Sequence, residues 1–136
     1  MQSIRVIASW IFLHAIGLIG WPFSTAFADI VTDGTVGPAF AVPESLGSRV
    51  GNNLFHSFQR LNLGNGEQAT FSGSATISNV ISRVTGGQAS NIDGLLRSTV
   101  GVADFYFLNP AGVAFGANAQ IDVPASFYVS TADEPN

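Results

Sequence analysis

Between residues 51 and 131 the chain divides its apolar residues into runs too short for helices. Val80-Ile81, Phe105-Tyr106-Phe107-Leu108, Val113-Ala114-Phe115 and Phe127-Tyr128-Val129 are separated by turn formers: Gly86-Gly87, Asn91, Asp93-Gly94, Asn109-Pro110 and Gly116. Apolar runs of about 4–8 residues between such breakers predict strands buried on both faces, as in parallel sheets. The expected fold class is all-β.

The amino-terminal segment, 1–28, is set apart from that fold. Arg5 is its only charge, residues 6–21 are mostly apolar, and Pro22 closes the run. Ala26-Phe27-Ala28 then places small residues at the two positions a signal peptidase reads, which predicts cleavage between Ala28 and Asp29. A membrane anchor is the competing reading. His14, Gly17, Gly20 and Pro22 weaken it, because a spanning helix needs about 20 predominantly apolar residues. The expected organisation is a signal peptide over 1–28 and one β domain over 29–136, with no stable membrane span after cleavage.

Residues 29–136 carry all nine Asp and Glu against four Arg, a formal charge of −5, and the chain has no Lys. Such a segment lacks the cations that displace counterions from a phosphate backbone, so nucleic acid is excluded as a partner. Electrostatic attachment to anionic lipid is not expected on the same ground. The chain also has no Cys. A small exported domain often relies on disulfides, so this one needs another source of stability, such as a sheet whose repeats bury a continuous core against one another.

Residues 30–42 read as two weak strands around a turn at Asp33-Gly34, with Pro38 and Pro43 keeping them at an edge. Residues 44–51 read as a polar connector. Residues 53–63 fit either a short amphipathic helix or an irregular strand, and their pattern does not decide. Gly64-Asn65-Gly66 is a turn, a corner or hairpin before Ala69-Thr70-Phe71. A period of about 21 positions aligns Phe71 with Ile92 and Val113, Ile81 with Val102 and Val123, and Ala75 with Leu96 and Ala117. With apolar content at 46%, about two such phases arise by chance. The period is physically sensible all the same, since that length at about 3.3 Å per residue makes one turn of a parallel β-helix with three short faces.

Several stretches then occur in a characteristic order. Asn53-Leu54-Phe55-His56-Ser57-Phe58 precedes Ile81-Ser82-Arg83-Val84-Thr85-Gly86-Gly87 and Ser90-Asn91-Ile92-Asp93-Gly94. Phe107-Leu108-Asn109-Pro110-Ala111-Gly112-Val113-Ala114-Phe115-Gly116 follows, then Asn118-Ala119-Gln120-Ile121-Asp122-Val123, Ser126-Phe127 and Ser130-Thr131-Ala132. This succession resembles the amino-terminal secretion domain of filamentous haemagglutinin-like proteins exported by two-partner secretion, in the form common in cyanobacteria. The resemblance implies a right-handed parallel β-helix, a single-stranded pectin-lyase-like solenoid, with capping N-terminal strands and extra hairpin strands. It implies export through the inner membrane, recognition in the periplasm by POTRA domains of an outer-membrane pore protein, and a final place at the cell surface or outside it. The exported remainder of such a protein is an adhesin, with a host or cell-surface glycan or protein as its target, or a contact-dependent inhibition toxin. The domain itself catalyses nothing and needs no cofactor. Relative to the family this chain is short at its C-terminal end, which reads as truncation. It has Ala111 where an Asn is usual in Asn-Pro-Asn-Gly, and it lacks an earlier Asn-Pro motif near Ser72-Gly73-Ser74-Ala75.

Asn109, Pro110, Ala111 and Gly112 have the chemistry of a tight turn. Asn accepts a backbone N–H, Pro presets φ and Gly completes the bend. Through the resemblance they are also candidates for contact with the pore; Arg83 and Asn91 are candidate partner contacts as well. Asparagines at 52, 53, 79, 91, 109 and 118 raise the prospect of amide ladders along the coil. The phenylalanines read as core. His56 beside Ser57 does not make a triad, because neighbours in a strand face opposite ways and no nucleophile elbow is present. One His without Cys cannot build the usual zinc site, and the carboxylates form no calcium loop. A stand-alone carbohydrate- or surface-binding β module is the principal alternative. A β-helix lyase or hydrolase ranks lower, since Asp93, Asp104 and Asp122 are scattered singly.

Overall fold

The structure, a computed structural model, describes residues 39–132 and the strand backbones of residues 4–7 and 30–31. Thirteen strands and one 3-10 turn are present among the described residues. In chain order the strands are β1 (Ile4–Ile7), β2 (Ile30–Val31), β3 (Ala39–Val42), β4 (Ser48–Val50), β5 (Asn53–Arg60), β6 (Gln68–Phe71) and β7 (Asn79–Val84). They continue with β8 (Ser90–Ile92), β9 (Leu95–Ser98), β10 (Asp104–Leu108), β11 (Val113–Phe115), β12 (Gln120–Asp122) and β13 (Phe127–Ser130); the turn is Glu44–Leu46.

These strands wind into a parallel β-solenoid of about four turns. The first sheet has the order β1-β13-β10-β7-β5-β2, the second β12-β9-β6-β3, and the third β11-β8. A bridge from Leu63 to Ile92 extends the third sheet by one rung. Every strand pair is parallel except β4 with β5, which is antiparallel. Residues 44–51, expected as a plain connector, thus hold a 3-10 turn and the short strand that caps β5. Residues 53–60 form a strand. Their lack of alternation follows from burial on both faces: Leu54 and Phe58 enter the main core, while Phe55 joins a second cluster with Ile81 and Leu108.

The short, constant period expected from the sequence does not hold. Leu54, Val80, Phe105 and Phe127 stack in the first sheet, at spacings that shrink along the chain and always exceed that period. Phe40, Ala69, Leu96 and Ile121 stack in the second, at spacings that are longer again and shrink in the same direction. Corner loops of unequal length absorb the difference while the strands stay in register. Val102, aligned by the shorter period with the core residues Ile81 and Val123, lies in a turn and is 80% exposed.

The core is an aromatic and aliphatic column. Phe58, Phe71, Phe105, Phe107 and Phe127 are fully buried. Phe71 meets Phe105 edge-on at 4.7 Å, and Phe105 stacks on Phe127 at 5.7 Å. Phe115 departs from the expected core role, being 39% exposed. On the other face of the first sheet Tyr106 and Tyr128 pair in register and stack at 4.7 Å, 12° from parallel. The last strand, β13, does not present a bare edge. Ile4–Ile7, within the segment expected as a signal peptide, pairs with Phe127–Ser130 in parallel.

Candidate docking site

The corner after β10 is built as its residue types dictate. The Gly112 N–H donates to the Asn109 carbonyl at 3.0 Å, closing a tight turn. The Ala111 N–H donates to Asn109 Oδ1 at 2.9 Å, the Asx interaction expected of this residue. Gly112 has φ of +118°, a region that side chains disfavour. Asn109 is buried, and its Nδ2 donates to the Gln88 carbonyl at 3.0 Å and to Ser90 Oγ at 2.9 Å. Its own N–H donates to the Ser130 carbonyl one rung on. One side chain therefore ties its corner to the preceding rung, and its backbone ties it to the next. Pro110 and Ala111 stay exposed at the tip.

The fold brings this turn beside a second sequence motif. Arg83 pairs in register with Leu108, the residue before Asn109. Arg83, Val84, Thr85 and Gly87 line one side of a cleft of about 210 Å³, and Asn109, Pro110 and Ala111 line the other. Two of the three expected contacts, Arg83 and the turn, thus share one surface feature. Asn91 is exposed on β8; its N–H donates to Asn62 Oδ1 at 2.9 Å, and it does not line this cleft. Val84, Thr85 and Gly87 were not singled out as contacts from the sequence. Their signal was the Arg83-Val84-Thr85-Gly86-Gly87 run, whose turn curls back toward the next corner. Ala26, Ala28 and Asp29 lie outside the described residues.

The amide-ladder expectation is met at one place. Asn79 Nδ2 donates to Asn53 Oδ1 at 2.8 Å, and the two residues are in register on β5 and β7. Asp104 continues the column and accepts the Ser126 N–H at 3.0 Å. His56 is buried against Phe71, and its Nε2 lies 3.2 Å from the Pro43 carbonyl. A carbonyl only accepts, so Nε2 carries the proton. Nδ1 of His56 and Oγ of Ser82, its neighbour in register, lack a hydrogen-bond partner. Burial holds the His56 pKa below its usual value, with opposing contributions from the Pro43 carbonyl and Glu44. This is an apolar setting for a cap-holding histidine, with Ser57 in the adjacent position of the same strand. Among the described residues no group of three potential ligands could hold a metal ion. No helix there is long and apolar enough to cross a membrane.

A family model, the TPS secretion domain, matches residues 34–136. No curated protein and no solved structure matches the chain.

Proposed function

The chain belongs to the TPS secretion domain family, and on that premise we propose that it is the export address of a two-partner secretion system. Its task is recognition, not chemistry. A periplasmic POTRA domain of an outer-membrane transporter docks on the cleft between Arg83 and the turn of residues 109–112. The single observation that carries this assignment is that two motifs distant in sequence line one cleft. The division of labour at the turn supports it. Both amide donors and Oδ1 of Asn109 are engaged in internal hydrogen bonds, leaving exposed Pro110 and Ala111 to meet a partner.

In this proposal the segment 1–28 directs passage through the inner membrane and is cut before Asp29. The solenoid then forms outside the cell as the leading module of a surface adhesin. Each rung offers the next a parallel edge, so winding in the order of emergence is supported by the topology.

Co-expression with the cognate transporter tests the docking surface. Ala111→Arg fills the cleft while leaving every hydrogen bond of the corner intact, because Ala111 contributes only its backbone. Surface export is expected to fall by about tenfold, the effect of losing roughly 1.4 kcal/mol of recognition, with unchanged circular dichroism. Export at the original level from a folded variant would remove the cleft from the mechanism.

A further inference from the structure

We propose that a groove on another corner of the solenoid binds a neutral, linear oligosaccharide. It has a volume of about 460 Å³ and runs along the junction of the second and third sheets, within the range of small-molecule sites. Turns from successive rungs form it. The Glu67 N–H closes the first on the Gly64 carbonyl, and the Ala119 N–H closes the last on the Gly116 carbonyl. Gly94 lies between them, packed so closely that a Cβ there would strike the carbonyls of Glu67 and Gly64.

The lining chemistry selects the ligand class. Gln68, Leu95 and Gln120 stack in register on β6, β9 and β12, placing primary amides on either side of an apolar residue. Glu67 Oε1 is oriented by the Gly64 N–H at 2.7 Å. Asn118 is held by Asp93, its N–H reaching Oδ1 at 2.8 Å and its Nδ2 reaching Oδ2 at 3.3 Å. Amides present a donor and an acceptor side by side, a match for neighbouring sugar hydroxyls. Among the described residues the lining includes no Lys, Arg or aromatic ring. Phosphate, sulfate and uronate therefore lack a counter-charge and meet the Glu67 carboxylate instead, while nucleobases lack a stacking face. Strands repeat about every 4.8 Å along the axis, so the Gln68 and Gln120 amides, two rungs apart, stand about 9.6 Å from each other, a spacing that alternate units of a linear chain can meet. This site is independent of the export cleft and of the function proposed for it.

The test is a titration of the ¹⁵N-labelled full chain with cellohexaose and with maltohexaose, using hexagalacturonate as the acidic comparator. Binding of either neutral probe at millimolar concentration is expected to shift the Gly66 and Gly94 amides and the side-chain amides of Gln68 and Gln120. Gln120→Glu keeps the size of an exposed side chain and is expected to weaken binding about tenfold, as is Gln68→Ala. Absence of shifts with both neutral hexasaccharides overturns the proposal. So does hexagalacturonate binding as tightly, or full affinity in folded Gln120→Glu.

Discussion

Asn109 shows how much one side chain carries when both its amide donors and its Oδ1 are engaged internally. Replacing its amide by a carboxylate in Asn109→Asp removes two donors and sets a charge against the Gln88 carbonyl, which can only accept. The expected cost is about 3 kcal/mol, read from urea denaturation at neutral pH. A loss below about 0.5 kcal/mol would contradict the buried-corner role. His56 gives a pH dependence of definite sign. Its folded pKa lies below its usual value because burial disfavours the charged ring. The unfolded chain therefore binds a proton first as pH falls. Its contribution to stability is complete above about pH 6.5 and is lost progressively as pH drops from there toward the lowered folded value. Thermal unfolding at pH 7.5 and pH 5 should show this fall in the parent and a smaller one in His56→Phe. Equal slopes would place the titrating group elsewhere.

At the scale of elements, stability comes from matched rungs. Phe105 sits between Phe71 and Phe127, so Phe105→Ala empties the middle of the column and is expected to cost about 3–5 kcal/mol. Chemical denaturation measures it; a cost near 1 kcal/mol would mean that the column collapses around the gap. The strands themselves were legible because brief apolar runs between Gly, Asn and Pro leave no room for helices. The repeat was not, because corners vary in length and only the paired segments keep register. Leu96 illustrates this: its neighbours across the sheet are Ala69 and Ile121, where a constant short period selects Ala75 and Ala117. The cap was also hidden. Ser48-Arg49-Val50 is short and polar, and only its antiparallel pairing with β5 makes it a strand. The docking cleft was half visible. Both motifs could be named from the sequence, but their juxtaposition depends on Leu108 and Arg83 being in register, which no linear pattern contains.

Across the whole molecule, the solenoid has a direction and an end that invites pairing. The described structure satisfies β13 with Ile4–Ile7, part of the segment expected to be cut away. Removing the leader through Ala28 strips that strand and leaves the N–H and C=O groups of Phe127–Ser130 without their β1 partners. Sedimentation velocity on the shortened chain should show association that grows with concentration, against a less associating full-length form. Identical monomeric behaviour of both would show that the edge is protected in another way.

The paired phenol rings of Tyr106 and Tyr128 belong to consecutive coils and face each other only when those coils are aligned. Their electronic transitions can couple across that gap, so the near-ultraviolet dichroism of the native protein doubles as an intrinsic gauge of whether the final coil has docked. No dye or added tryptophan is required to watch the winding finish.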